Sequence, residues 1–231
     1  MERLTRQQVI NRVKETGDLS GYDLSGLMLS NLDLISVLFK SCNLRGTNLS
    51  SSNLSMSSFE DADLSGSNMS SSNFIGADFR RSNIEGSDLT FSSFMGADFT
   101  EAIVRGANFT NSRLTKAILE KADLSGANLQ MTEAVLIRTK NTLLQNIKAY
   151  GSSMIGANLA GADLRGAMLH GTDLSGADLS FADLRGASLI ETVFVAANLA
   201  GADLRGTQLN NMDTTRANLE GAKLDENPPQ A

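Results

Sequence analysis

The sequence predicts a solenoid, a rod built of short turns stacked on one another. Three observations carry that reading. From Ala157 the chain cuts into fives as ANLAG, ADLRG, AMLHG, TDLSG, ADLSF and ADLRG. The period of five matches neither the 3.6-residue repeat of a helix face nor the 2.0-residue repeat of a strand. The register also holds: the central residue of the unit falls at 19 and every fifth position to 224, giving 42 units in one frame. A fixed short period sustained over a whole chain marks units that stack on their neighbours.

Within the unit each position has its own chemistry. The central residue is large and apolar except at Ala134, Thr139, Ala149 and Thr214. Two residues earlier stands, nearly always, a small residue, as at Ala62, Ala77, Ala97, Ala122 and Ala202, and between the two lies usually Asp, Asn or Ser. This A(D/N)LxG pattern resembles the pentapeptide-repeat family over about residues 17–226. The resemblance implies an all-β solenoid, a right-handed quadrilateral β-helix of about ten coils, each of four pentapeptides. It also implies that the central and small residues point inward while the other three positions face solvent or make the corner. The physics agrees. A narrow tube holds one large and one small side chain per side, and overfilling it costs roughly 1–3 kcal/mol. Glycine at the fifth position tolerates a tight corner, and Asp or Asn must face outward or bond the turn backbone.

Every twentieth residue then shares a face. The first face carries the Leu24, Leu44, Leu64 column and the second the Leu29, Leu49, Met69 column. The third carries Leu34, Leu54, Phe74, Phe94 and onward, and the fourth Leu19, Phe39, Phe59, Phe79, Phe99 and onward. The stacked phenylalanines read as core packing.

Residues 1–16 stand apart as a short N-terminal capping helix. Thr5 and Gln8 form a capping box, Leu4 and Val9 the hydrophobic staple, and Gly17 suits the position after the helix. Such a lid covers strand edges that would otherwise pair with other chains. At the first small positions Tyr22, Leu27, Leu32 and Val37 are oversized, which predicts wider first coils or side chains turned outward under the lid. Residues 130–153 (QMTEAVLIRTKNTLLQNIKAYGSS) break the consensus. Leu136, Leu143, Ile147 and Tyr150 sit at helical spacing, which suits a looped-out helix. The unchanged register, and the pairing of large Ile137 and Ile147 with small Thr139 and Ala149, favour an irregular coil. Residues 227–231 form a C-terminal tail, in which Pro228 and Pro229 suit a blocked sheet edge.

Composition and spacing argue against chemistry. The 231 residues carry 20 Lys and Arg against 26 Asp and Glu, a net charge of −6 that disfavours direct binding to nucleic acid. No apolar run reaches the roughly 20 residues of a membrane span, and the N-terminus lacks a signal-peptide core. The expected compartment is the bacterial cytoplasm, with signal-independent secretion compatible. Cys42 is alone and His170 is the only histidine, so neither a disulfide framework nor a metal cluster is expected. A narrow β-helix has no pocket for a substrate. The reading is a non-enzymatic protein, with no cofactor, no metal and no catalytic residue.

One surface feature stands out. The outward residue after the central one is large and apolar in eight units, and six of these lie on the third face: Ile35, Ile75, Met95, Val135, Ile155 and Val195. Ser55, Thr115 and Ser175 interrupt them. The stripe spans eight coils, roughly 38 Å at about 4.8 Å per coil. A contiguous apolar stripe on a polar rod predicts a contact surface, for a second rod or for another protein. On the first face Asp163–Arg165, Asp183–Arg185 and Asp203–Arg205 stack into a ladder read as a solvated, salt-bridged surface. The functional expectation is a bacterial protein–protein interaction scaffold that binds a macromolecular partner through a flat face. Leu4 to Leu34 resembles the entry to repeat domains of secretion-associated proteins. The alternative is a DNA mimic that binds DNA gyrase or topoisomerase, as some pentapeptide-repeat proteins do.

Overall fold

A computed structural model describes residues 1–225. The expected C-terminal tail of residues 227–231, with Pro228 and Pro229, lies outside the described residues. The chain winds into a four-sided tube in which parallel β-bridges join one residue on each side of a coil to the residue twenty later, from Asp18↔Leu38 to Asp203↔Lys223. Each side contributes one bridged residue, the Asp/Asn/Ser position of the pentapeptide. The side is too short for a longer strand, because a turn interrupts it every five residues.

The turn explains the period. In Leu24–Leu27 the Leu27 amide donates to the Leu24 carbonyl at 3.2 Å, while Gly26 sits at φ +66°. A positive φ at the third turn residue is the requirement of a type II β-turn. Every fifth residue from Gly21 to Gly221 lies in this left-handed region, glycine or not. The Asp or Asn side chain closes a second, smaller turn, as where the Ser65 amide donates to Asp63 Oδ1 at 3.0 Å. That bond is why a charged residue can sit half-buried beside the core.

The interior is a continuous column of the central and small residues. Leu24, Leu44, Leu64 and Leu124 are fully buried. Phe39, Phe59, Phe79 and Phe99 stack with ring centroids 4.8–4.9 Å apart and planes within 6°, and Phe74 and Phe94 stack beside them at 5.0 Å. The centroid spacing is the spacing of the coils, and parallel planes that far apart are offset. Where the small position is Ser, Thr or Cys it is more than small. Thr47, Ser57, Ser87, Thr142 and Thr192 each donate to the carbonyl of the residue 23 earlier, at 2.6–2.9 Å. In these five units the hydroxyl ties one coil to the one below and is satisfied although buried. Cys42 does the same to the Leu19 carbonyl, and burial pushes its thiol up to about 11. Ser82, Ser152 and Thr207 instead donate to the carbonyl three residues earlier.

At the N-terminus, α1 (Arg6–Glu15) starts at Thr5 with the reciprocal capping box to Gln8. Leu4 and Val9 are buried in the same core as Leu19 and Leu24. Gly17, at φ +67°, donates to the carbonyls of Arg12 and Val13. Residues before the helix add something the sequence reading omitted. Arg3 forms a parallel bridge with Asp23, so the chain lays down one side of a coil before it turns into α1. Val37 is buried, whereas Tyr22, Leu27 and Leu32 are half-buried against the core under the helix. The Arg12 guanidinium lies 4.7 Å over the Tyr22 ring.

Residues 130–153 run as coil. The bridges Asn128↔Lys148, Glu133↔Ser153 and Arg138↔Asn158 continue without a gap, and α1 is the one helix among the described residues. Ile137 and Ile147 occupy the small inward positions beside buried Thr139 and Ala149, so the volume stays in the tube. At the other end, Leu219 and Leu224 of the last described coil are exposed.

Leu124 tests the inward assignment. Leu124→Met conserves volume and is expected to cost less than about 1.5 kcal/mol in urea unfolding. Leu124→Asp places an unpaired carboxylate in the dry column and is expected to abolish cooperative folding. Equal stability of Leu124→Asp and the parent would contradict the packing described.

Candidate functional site

The six apolar residues of the stripe stand on one face, each just past an inward side chain. Ile35, Ile75 and Ile155 are 49%, 43% and 40% exposed, while Met95, Val135 and Val195 are half-buried. The turn orients them: the Ile75 amide, at the second turn position, donates to Asn73 Oδ1 at 3.1 Å, and its side chain points away from the tube. The interrupting hydroxyls are already bonded. Ser55 donates to Asn53 at 3.0 Å, Ser175 to Asp173 at 2.6 Å and Thr115 to Glu133 at 3.1 Å.

Two residues widen the stripe that sequence reasoning missed. Met56 and Leu136, at corner positions of the same face, are 65% and 49% exposed. Their side chains lie over the next coil, where a Cβ on Gly76 would meet Met56 Sδ at 2.6 Å and one on Gly156 would meet Leu136 Cδ2 at 2.7 Å. The same relation joins Met131 to Gly151 and Phe181 to Gly201. A bulky corner residue followed twenty later by glycine was a legible signal, because the space it fills is the side chain that glycine lacks. Met131 and exposed Phe91 lie on the second face, with exposed Met28, Tyr150 and Met168, and Phe181 lies on the fourth; the third face is where six apolar residues share one column of outward positions.

The first and fourth faces carry ladders of ion pairs. On the first face Arg165, Arg185 and Arg205 each grip the Asp two residues earlier with two hydrogen bonds of 2.6–2.9 Å. The next Asp along the ladder stands 3.7 Å from Arg165 and 4.0 Å from Arg185. Arg45 and Arg105 instead reach the Asp of the following coil at 2.6 Å. On the fourth face Glu60 takes Lys40 at 2.8 Å and Arg81 at 2.6 Å, which hold its carboxyl down at about 2. The Arg165 and Arg205 forks hold Asp163 and Asp203 at about 2 as well. Among the described residues every carboxylate with a displaced pKa is displaced downward. His170 stands at the surface, Nε2 3.4 Å from Glu191 Oε2. The described residues form no group of three or more His, Cys, Asp or Glu fit to hold a metal ion. No helix among them is long and apolar enough to cross a membrane.

Family profiles match along most of the chain. The pentapeptide repeat region profile covers residues 18–89, and the pentapeptide repeats profile covers 92–130, 142–180 and 177–213. The chain belongs to the pentapeptide-repeat family. Among solved structures it is similar to HetL, a pentapeptide-repeat protein involved in heterocyst differentiation regulation, from the cyanobacterium Nostoc sp. strain PCC 7120. The two share 26% identity at a TM-score of 0.85, over 96% of this chain and 98% of HetL. It is also similar, at 24% identity and a TM-score of 0.41, to a trypsin-treated form of QnrB1, a plasmid-mediated fluoroquinolone resistance protein, over 70% of this chain and 84% of that one. No curated protein matches. The likeness to solved pentapeptide-repeat proteins implies the right-handed quadrilateral β-helix for this chain too.

The ion pairs give the rod a defined response to acid. A carboxylate whose folded pKa lies below its unfolded value adds stability above the unfolded value and loses it as pH falls through the folded one. The melting temperature is therefore expected to hold above about pH 4.5 and to fall as pH drops toward 2. Glu60→Gln is expected to lower the plateau and flatten the fall, since Lys40 and Arg81 lose their shared carboxylate. A Glu60→Gln profile parallel to the parent's, merely displaced, would show that this carboxylate does not contribute to the acid transition.

Proposed function

We propose that the protein is a non-enzymatic interaction scaffold that engages a macromolecular partner through its third face. The observation that carries this reading is the apolar stripe of Ile35, Ile75, Met95, Val135, Ile155 and Val195, six outward residues in one column, broadened by Met56 and Leu136. Scattered exposed apolar residues are ordinary, but a run aligned over eight coils is the kind of patch that marks a contact surface. The flatness of the face favours a broad partner over a small molecule, because small ligands bind in concave sites.

The charge chemistry supports the same reading. General acid catalysis at neutral pH needs a carboxyl or imidazole tuned upward or near neutrality, whereas the displaced carboxylates here are held ionised by their partners. Along the rod the arginines from Arg45 to Arg205 pair with neighbouring carboxylates rather than gather into a basic stripe, which supports a protein partner over nucleic acid. The involvement of HetL in heterocyst differentiation regulation fits action by binding, and regulation by protein contact is the role we assign to this chain.

The test is Ile75→Glu combined with Ile155→Glu, two outward positions whose charging is compatible with the core. The folded variant, verified by circular dichroism, is expected to lose partners that the parent captures from its native host by at least about tenfold. A control with Ser65→Glu, on the polar first face, should keep them. Undiminished capture by the double variant would remove the stripe as the interface.

A further inference from the structure

The order of residues along the stripe is itself informative. Counted outward from Thr115, one outward residue per coil, the third face reads the same in both directions. Met95 and Val135 lie one coil away, Ile75 and Ile155 two, Ser55 and Ser175 three, and Ile35 and Val195 four. Apolar stands at the distance of apolar and hydroxyl at the distance of hydroxyl. The two side chains that broaden the stripe obey the same symmetry. Met56 reaches over Gly76, two coils before Thr115, and Leu136 reaches over Gly156, two coils after it. Their Cα atoms are not symmetric about Thr115, but the levels their tips occupy are.

We propose that the third face pairs with the third face of a second copy of this chain, antiparallel, about a two-fold axis at Thr115. This rests on the reading of the third face as the contact surface and names its occupant. A two-fold interface is self-complementary, so residue i meets residue j and j meets i. With the rods antiparallel, a level n coils above the axis meets the level n coils below it on the other copy, and a stripe matches itself only if its order is palindromic. Ile35 then faces Val195 of the second copy, Ile75 faces Ile155, and the Met56 tip faces the Leu136 tip. A parallel pair imposes no such order, because every level meets itself.

The polar groups fit the arrangement. Ser55, Ser175 and Thr115 already donate within their own chain, so covering them leaves no hydroxyl proton unpaired. Arg113 beside the axis is paired with Glu133 of the next coil at 2.9 Å. In the antiparallel pair the two Arg113 side chains share the axial level, and each lies one coil from the Glu133 of either copy, so each positive charge is flanked by a carboxylate on both sides. The contact is modest in size. A strip about 38 Å long and about 13 Å wide is roughly 500 Å² per copy, about 1,000 Å² in total, which is the lower end for a specific association. A reversible dimer with a dissociation constant in the micromolar range is expected, displaceable by a partner that binds the same face more tightly.

The test combines sedimentation of the full chain from about 1 to 500 μM with disulfide cross-linking of single-cysteine variants at outward positions. Cys42 is buried and silent toward a mild oxidant. Thr115→Cys is expected to cross-link to itself. Ser55→Cys is expected to cross-link in an equal mixture with Ser175→Cys, and neither of those alone. Ile75→Glu should weaken dimerisation by at least about tenfold. Self-linking of Ser55→Cys would establish a parallel pair and overturn the proposal. A folded parent that stays monomeric at 500 μM with no Thr115→Cys link would also overturn it. In that case stripe-dependent capture of a host protein would leave the third face standing as the contact surface, and loss of that dependence as well would remove both.

Discussion

The structure depends on one constraint: the backbone must turn a corner every five residues with a left-handed residue, and after four corners it must stand directly over its start. The amides of the bridged, central and corner residues then have partners in the adjacent coils, as where the Leu24 amide donates to the Asn43 carbonyl at 2.8 Å and the Asn43 amide to the Tyr22 carbonyl at 3.1 Å, while the other two bond within the turn. Buried backbone groups left unpaired are costly, so the spacing of twenty is enforced by hydrogen bonding rather than by side-chain preference. The side chains follow. A central residue can only sit above another central residue, which is why phenylalanines stack at the coil spacing and why Ser and Thr hydroxyls find the carbonyl below.

The same constraint separates two jobs that compact domains mix. Inward positions are limited by volume and dryness, and the outward position after each central residue is free. What is written there repeats by face at intervals of twenty. A face is thus a one-dimensional surface with a level per coil, on which charges form a ladder at Asp163, Asp183 and Asp203, and apolar residues form a stripe at Ile75, Met95 and Val135. Solenoids use such extended, rigid surfaces for binding. A surface with discrete levels also carries direction, and the order of its residues can specify whether a partner rod lies parallel or antiparallel.

Much of this was legible in the sequence because the period is strict. The central column, the small inward column, the Thr5–Gln8 box and the six stripe residues follow from counting in fives and twenties. The unbroken frame across residues 130–153 marked a coil, although Leu136, Leu143 and Tyr150 also fit a helix. Three things were not legible from the pattern alone. The bonding of inward Ser and Thr to the coil below depends on a carbonyl that the pattern does not show. The bridge from Arg3 to Asp23 involves residues outside the repeat. The reach of Met56 and Leu136 over the following glycines comes from the left-handed corner, which throws a corner side chain onto the next coil rather than into solvent.

The most direct measurement of the coil geometry is the distance between spin labels placed on one face at increasing separation. Labels at Ser55 and Ser175 are six coils apart and labels at Ser55 and Thr215 eight, with the labelled protein diluted in unlabelled chain so that only distances within one molecule are read. The account predicts peaks near ~29 Å and ~38 Å, each narrow, differing by about two coil spacings. Equal distances for the two pairs, or a shorter one for Ser55 with Thr215, would contradict a rod that rises one coil for every twenty residues.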